Sequence, residues 1–288
     1  MSRRARAALA VFGAAVFAGT LLDRAAPRPA PRPGLLVADL HVHPFPGDGA
    51  LTVYQLQREA LRRGIDVVAI TGHNNRVGLR LAHAFGVQSD AVIVLEGQEV
   101  TAPGFHVIAA ATDRPIDWRL SAADAIAAIH AAGGVAIAAH PLRRYHAAFD
   151  DEALRLLDGG EVAHPLRLSS AQGRRELEEF YDRARSLNPH LAAIGSSDFH
   201  MTAPLGLCRT YLLTDDRSAA GALEAIRRGR TVAADAAGRL YGRPEHVAAV
   251  AASLAARPGE PVTPLAERAA ALLALLALAA LTLPRARR

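Results

Sequence analysis

Two histidines one residue apart, His41 and His43, close the first apolar run of the chain, Leu35-Leu-Val-Ala-Asp-Leu-His41. On an extended strand they point to the same side, so two imidazoles can grip one metal ion, and the following loop can return Asp48 to that place. The same event recurs at later runs, which end in Thr71-Gly72-His73-Asn74, Glu96-Gly97-Gln98-Glu99, His140-Pro141 and Ser196-Ser197-Asp198-Phe199-His200, with His106 inside another. Imidazoles and carboxylates gathered in that number are costly to bury without partners, and divalent cations compensate them. Imidazole plus carboxylate, without thiolate, suits zinc, manganese or iron and does not choose among them. Cys208 is the only cysteine, which excludes a disulfide framework and a Cys-rich zinc site.

The elements that must position these groups read as alternating strands and helices. Buried strands are expected at 35–41, 67–71, 91–96, 105–110, 135–139 and 191–195, each nearly continuously apolar. Between them the pattern predicts helices from Thr52 to Arg63, Ser121 to Ala132, Arg174 to Leu187 and Ser218 to Arg228, with Ser121 competent as a cap and glycines as stops. Such a series fits a single core built as an α/β barrel or an open parallel sheet. In either, the carboxyl ends of the strands converge on one face, so the histidines and carboxylates share one mouth.

The order HxH, loop Asp, Thr-x-His-Asn, Gly-x-Glu, isolated His, His-Pro and Ser-Asp-x-His resembles the polymerase and histidinol phosphatase (PHP) superfamily of metallo-phosphoesterases. The resemblance runs from about Leu36 to Asp235. It implies a distorted (β/α)7 barrel holding two to three divalent ions. By matching position, His41, His43, Glu99 and Asp198 resemble the ligands of a first ion; Glu99, His106 and His140 those of a second, with Glu99 bridging; and Asp48, His73 and His200 those of a third. Glu99, Asp198 and His200 are the expected catalytic residues. One departure stands out, because Gly72 occupies the place of the family's usual Asp, and a missing acid beside a ligating imidazole weakens the third site.

The chemistry implied is hydrolysis of a phosphoester, since paired metals roughly 3.5–4 Å apart can polarise phosphoryl oxygens and activate a water. Arg143 and Arg144, directly after His140-Pro141, and Arg209 are candidates to fork onto phosphate. His164, in Glu161-Val-Ala-His164-Pro, follows a short apolar stretch that could be a further strand, and is a candidate to touch substrate. Small phosphoesters are the expected partners. The alternatives are a 5′-end exonuclease on short oligonucleotides and a catalytically degraded metal-binding module.

The composition of the 288 residues is 51% hydrophobic and 21% charged, too apolar for disorder and too interrupted for a multi-span transporter. The net charge is +5 and every basic residue is Arg, but these are scattered without interleaved aromatics, which argues against a nucleic-acid surface. Residues 1–22 read as a signal peptide or signal anchor, 23–34 as a proline-rich spacer, 35–240 as the barrel domain, 241–264 as a linker with a short helix, and 265–288 as a transmembrane helix with a basic tail. Hydrophobic helices at both ends predict a membrane location, with the body on the extracytoplasmic side.

Overall fold

The strand that delivers the histidine pair, β1 (Leu35–Val42), is buried along its whole length. It pairs in parallel with β2 (Val67–Ile70) and antiparallel with β9 (Arg209–Leu213). These are the centre of a six-stranded sheet ordered β11-β10-β9-β1-β2-β3, where β3 is Ile93–Glu96, β10 Thr231–Ala234 and β11 Leu240–Gly242. A second, five-stranded sheet runs in sequence order through β4 (Gln98–Ala102), β5 (Phe105–Ala110), β6 (Val135–Ala138), β7 (Gly159–Ala163) and β8 (Ala192–Gly195). This computed structural model describes residues 5–12, 14, 31–86, 91–165, 170–201, 203–255, 273 and 276.

Alternation along β1 sends Leu36, Ala38 and Leu40 into one apolar cluster and Leu35 and Val37 into another. The pairing with β2 becomes irregular between Asp39 and Val42, after which Val42 joins the cluster of Leu35 and Val37. The side-chain phase has therefore shifted by one residue, as a bulge requires. His41 and His43 flank Val42 and face away from that cluster, which aims both imidazoles at the same point.

Two seams bring the sheets together. Gly97 alone separates β3 from β4, and a Cβ there would lie 2.0 Å from the Ala109 carbonyl oxygen, so only glycine lets the chain cross so close to β5. At the other seam the Thr210 hydroxyl accepts from the Gly195 N–H (3.0 Å) and donates to the Gly195 carbonyl (2.8 Å), joining β8 to β9. The fold is thus a mixed α/β arrangement of two hydrogen-bonded sheets with helices.

The helices are α1 (Val53–Arg62), α2 (Val77–Ala84), α3 (Ala122–Ala131), α4 (Asp151–Leu156), α5 (Ala171–Leu187), α6 (Ala219–Arg227) and α7 (Pro244–Ala255). Thr52 forms a capping box with Gln55 on α1, and Ser121 caps α3 through the Asp124 N–H. Helix α5 begins three residues before the expected Arg174 because Ser170 accepts from the Gly173 N–H (2.9 Å) and supplies a cap upstream.

The chain divides into two compact units, Pro29–Pro258 and the combined termini Met1–Arg28 and Gly259–Arg288. Within the terminal unit the described residues 5–12, 14, 273 and 276 are helical. The expected membrane location is overturned: no helix among the described residues is long and apolar enough to cross a membrane. The longest of them, α5, has 17 residues and is studded with charge, where a span needs about 20 predominantly apolar ones. Most of the segments read as signal anchor (1–22), spacer (23–34) and C-terminal helix (265–288) lie outside the described residues.

Candidate metal centre

At the end of β1 the Nε2 atoms of His41 and His43 lie 3.0 Å apart. Asp198 Oδ1 is 3.3 Å from the first and 3.1 Å from the second, and Glu99 Oε2 is 3.5 Å from each. Four donors about 2.0–2.1 Å from a tetrahedral ion would be separated by roughly 3.3 Å, and these separations straddle that value. Both carboxylate oxygens are buried and accept no hydrogen bond of good geometry. Two orphaned acceptors and two facing ring nitrogens make a poor apolar interior and a good cation cage. The donor set therefore fits a divalent ion.

The other Glu99 oxygen, Oε1, accepts from His106 Nδ1 (2.9 Å) and lies 3.1 Å from His140 Nε2. Glu99, His106 and His140 form a second group able to hold an ion, and Glu99 belongs to both. Its place is fixed by the backbone, because the Glu99 N–H donates to the Thr71 carbonyl at the end of β2 (3.0 Å). A third group joins Asp48, His73 and His200 to His43. Asp48 Oδ2 is 3.3 Å from His73 Nε2 and 3.1 Å from His200 Nε2, while Oδ1 is 3.2 Å from His43 Nδ1.

The electrostatics favour a cation at the inner groups. Burial works against a charged His41, yet Asp198, Glu161 and Glu99 together raise its pKa well above the usual histidine value. Burial likewise opposes ionisation of Glu99, but His41, His106 and His140 hold it well below the usual carboxylate range, and Asp198 is depressed in the same way by His41, His164 and His43. A hydrogen bond from His43 is the main cause lowering Asp48. His140 moves down, chiefly through burial. A field that draws protons to these nitrogens draws metal cations equally.

The nine residues expected as ligands thus lie in three adjoining groups, and the expected catalytic Glu99, Asp198 and His200 are among them. The expected substrate residues part company. Arg144 lines a cleft of about 450 Å³ beside His73, His106, His140 and His200. Its guanidinium lies 4.3 Å from the centre of the Tyr145 ring, which in turn packs on His106 at 4.5 Å. Arg143 points the other way, 3.9 Å from Glu179 on α5, and Arg209 donates from Nε to the Gly206 carbonyl (2.8 Å). His164 follows β7 but is wholly buried behind Asp198, with Nε2 3.2 Å from Asp198 Oδ2, so it braces that carboxylate and does not line the cleft. Among the remaining histidines, His83 pairs with Glu96 and His130 with Asp158, away from the cluster.

Several contributors lie outside the nine expected ligands, Asp39 being the acid that the resemblance places just before the histidine pair. Asp39, buried before the histidine pair, accepts from the Ser197 N–H (3.0 Å), the Ser197 hydroxyl (2.5 Å) and the Gly206 N–H (2.7 Å), which ties β1 to the loop bearing Asp198. Thr101 Oγ1 meets His73 Nδ1 at 2.7 Å and gives that imidazole an orienting partner although Gly72 offers none. Tyr145 supplies the cleft's aromatic wall. Burial pushes Glu161 up, but His41, His164 and His140 together hold it low, at about 2.

No family model matches the chain. An uncharacterized protein of Methanocaldococcus jannaschii is 34% identical over 142 residues, 43% of this chain and 80% of that protein. The phosphoribosyl 1,2-cyclic phosphate 1,2-diphosphodiesterase of Eggerthella lenta is 37% identical over 71 residues, 25% of this chain but only 27% of its own length. Among solved structures, a two-domain protein of Bacteroides vulgatus, described as containing a predicted PHP-like metal-dependent phosphoesterase, superposes with a TM-score of 0.58 at 19% identity, over 78% of this chain and 72% of that one. The chain shares the fold of that PHP-like protein. The three groups of possible ligands adjoin one another, and the space beside Gly72 is limited: a Cβ there would meet the Asn75 carbonyl oxygen at 3.4 Å and Pro44 Cδ at 3.5 Å.

Proposed function

We propose that this chain hydrolyses small phosphoesters, mono- or diesters, with two to three divalent ions of manganese, zinc or iron held by His41, His43, Asp48, His73, Glu99, His106, His140, Asp198 and His200. The observation that carries the reading is the quartet of His41, His43, Glu99 and Asp198, whose buried carboxylate oxygens accept no well-aligned hydrogen bond and are approached only by imidazole nitrogens, His73 Nδ1 lying 2.7 Å from Glu99 Oε2. Bound there, the ions would supply Lewis acidity and an activated water.

The rest is the work of the chain itself. Arg144 presents its fork to the phosphate oxygens from the cleft wall, held against Tyr145, and Tyr145 with Leu142 receives the organic part of the ester. His200 Nδ1–H donates to the Asp198 carbonyl (2.9 Å), which leaves Nε2 with its lone pair toward Asp48 and the cleft, ready to ligate or take a proton. Seams at Gly97 and Thr210 support reading the two sheets as walls of a distorted barrel within a catalytic domain at 35–240. A cleft of about 450 Å³ with one arginine and one tyrosine suits a small ester better than an oligonucleotide. The Eggerthella lenta relative is named for a cyclic phosphate diester, so cyclic diesters belong in the first screen.

The test is an assay of the full chain on an aryl phosphate, an aryl phosphodiester and cyclic phosphates, with manganese, zinc and iron supplied separately. Turnover that needs metal and disappears in Asp198→Ala is expected. Metal uptake without turnover of any ester would reject the hydrolase in favour of a binding module.

A further inference from the structure

Behind the ligand cluster, on the side away from the cleft, one carboxylate serves two of the ligand groups at once. Glu161, the middle residue of β7, is wholly buried. Its Oε1 accepts from His41 Nδ1 at 3.0 Å and from the Ser196 hydroxyl. Its Oε2 accepts from the main-chain N–H of His140. His41 belongs to the quartet, and His140 to the group around Glu99 Oε1. His140 also has φ +28°, a left-handed value that a non-glycine residue keeps only when its surroundings enforce it.

We propose that Glu161 is a positioning residue that couples the two inner ion sites, fixing His41 as the Nδ1–H tautomer and pinning the strained backbone of His140. The inference rests on the metal-ion reading above and goes beyond it, because Glu161 would touch no ion. With Nδ1 committed as a donor, His41 Nε2 must carry the lone pair, and it is that atom which faces His43, Glu99 and Asp198. The ionised carboxylate accepts three hydrogen bonds and offers no donor. A glutamine cannot do this: whichever way its amide is turned, an NH2 group opposes either His41 and Ser196 or the His140 N–H. His43 contrasts with His41, since its Nδ1 meets Asp48, itself a member of the outer group. Of this pair of histidines, His41 is the one whose Nδ1 is held by a residue outside the ligand set.

The test uses the metal-stripped full chain, titrated with zinc against a chromophoric chelator and with cobalt followed by its visible spectrum. Wild type, Glu161→Gln and Asp48→Asn are compared, with circular dichroism to establish folding. Folded Glu161→Gln should lose about 10–100-fold in affinity at the two tightest steps and show an altered cobalt spectrum, while Asp48→Asn changes only the weakest step. Wild-type affinity and spectrum in Glu161→Gln would overturn the proposal. Should that variant not fold, nitrogen-15 NMR of the zinc-loaded wild type decides: His41 protonated at Nδ1 supports it, and His41 lacking a proton at Nδ1 overturns it. A wild-type chain that takes up no ion would instead sink the underlying metal reading, and this inference with it.

Discussion

The inner and outer ligand groups face one cleft but are built on opposite terms. The side chains of His41, His43 and Glu99 are 0% exposed and that of Asp198 is 8% exposed, whereas Asp48, His73 and His200 are 44%, 38% and 32% exposed. Outer groups can satisfy themselves with water. The inner quartet cannot, because Glu99 Oε2 and Asp198 Oδ1 are buried and accept no well-aligned hydrogen bond within the protein, and leaving them so is costly. On the proposed reading, burial should make the inner quartet hold its ion tightly and the outer set hold one that exchanges readily.

The largest effect should come from removing an inner donor. His41→Ala or Asp198→Ala is expected to reduce aryl phosphate turnover to background and to weaken the tightest ion by more than the ~100-fold that loss of a supporting residue causes. Steady-state kinetics with metal titration checks this, and circular dichroism verifies the fold.

Acidification should strip the inner ions next. Interactions with Asp198, Glu161 and Glu99, against burial, raise His41, and His43 is raised as well, so the metal-free chain holds protons on these imidazoles at higher pH than a free histidine would. An ion must displace them, and affinity falls as pH falls, by about tenfold per pH unit for each proton displaced. Glu99 and Asp198 stay ionised throughout that range because their values are lowered. Dialysis at stepped pH with metal analysis measures the slope. A flat profile between pH 8 and 6 would break the contrast.

Removing an outer ligand should cost less. Asp48→Asn, whose amide oxygen can still accept from His43 Nδ1, is expected to lose one weakly held equivalent of metal and to leave the two tighter steps intact, as read by equilibrium titration. Smallest of all is the difference between neighbouring arginines. Arg144→Ala should raise KM roughly tenfold, in keeping with the loss of a charged hydrogen bond, while Arg143→Ala, which points toward Glu179, leaves KM unchanged.

Much of this was legible in the sequence because polar residues that end a buried apolar run are conspicuous. His41, His43, His73, His140, Asp198 and His200 all stand at such ends. Glu161 escaped because it sits inside a short run, Gly159–Ala163, and its meaning depends on His41 and Ser196, 120 and 35 residues away. The choice of Arg144 over Arg143 escaped for a different reason: a single 3₁₀ turn at Arg143–Tyr145 sends adjacent side chains to different places. Strand β4 reads as polar, Gln98-Glu-Val-Thr-Ala102, and is recognisable only once Gly97 is seen to carry the chain onto β5. His164 shows the reverse error, since a histidine after a strand looks like a mouth residue until burial puts it behind Asp198. The apolar termini suggested a membrane location on hydropathy alone, which no described helix supports.

A crystal of the full chain grown with manganese and measured at wavelengths where manganese scatters anomalously tests the central claim most directly. The account predicts an anomalous peak about 2.0–2.3 Å from His41 Nε2, His43 Nε2, Glu99 Oε2 and Asp198 Oδ1. An ordered quartet with no anomalous peak among those four atoms would contradict it.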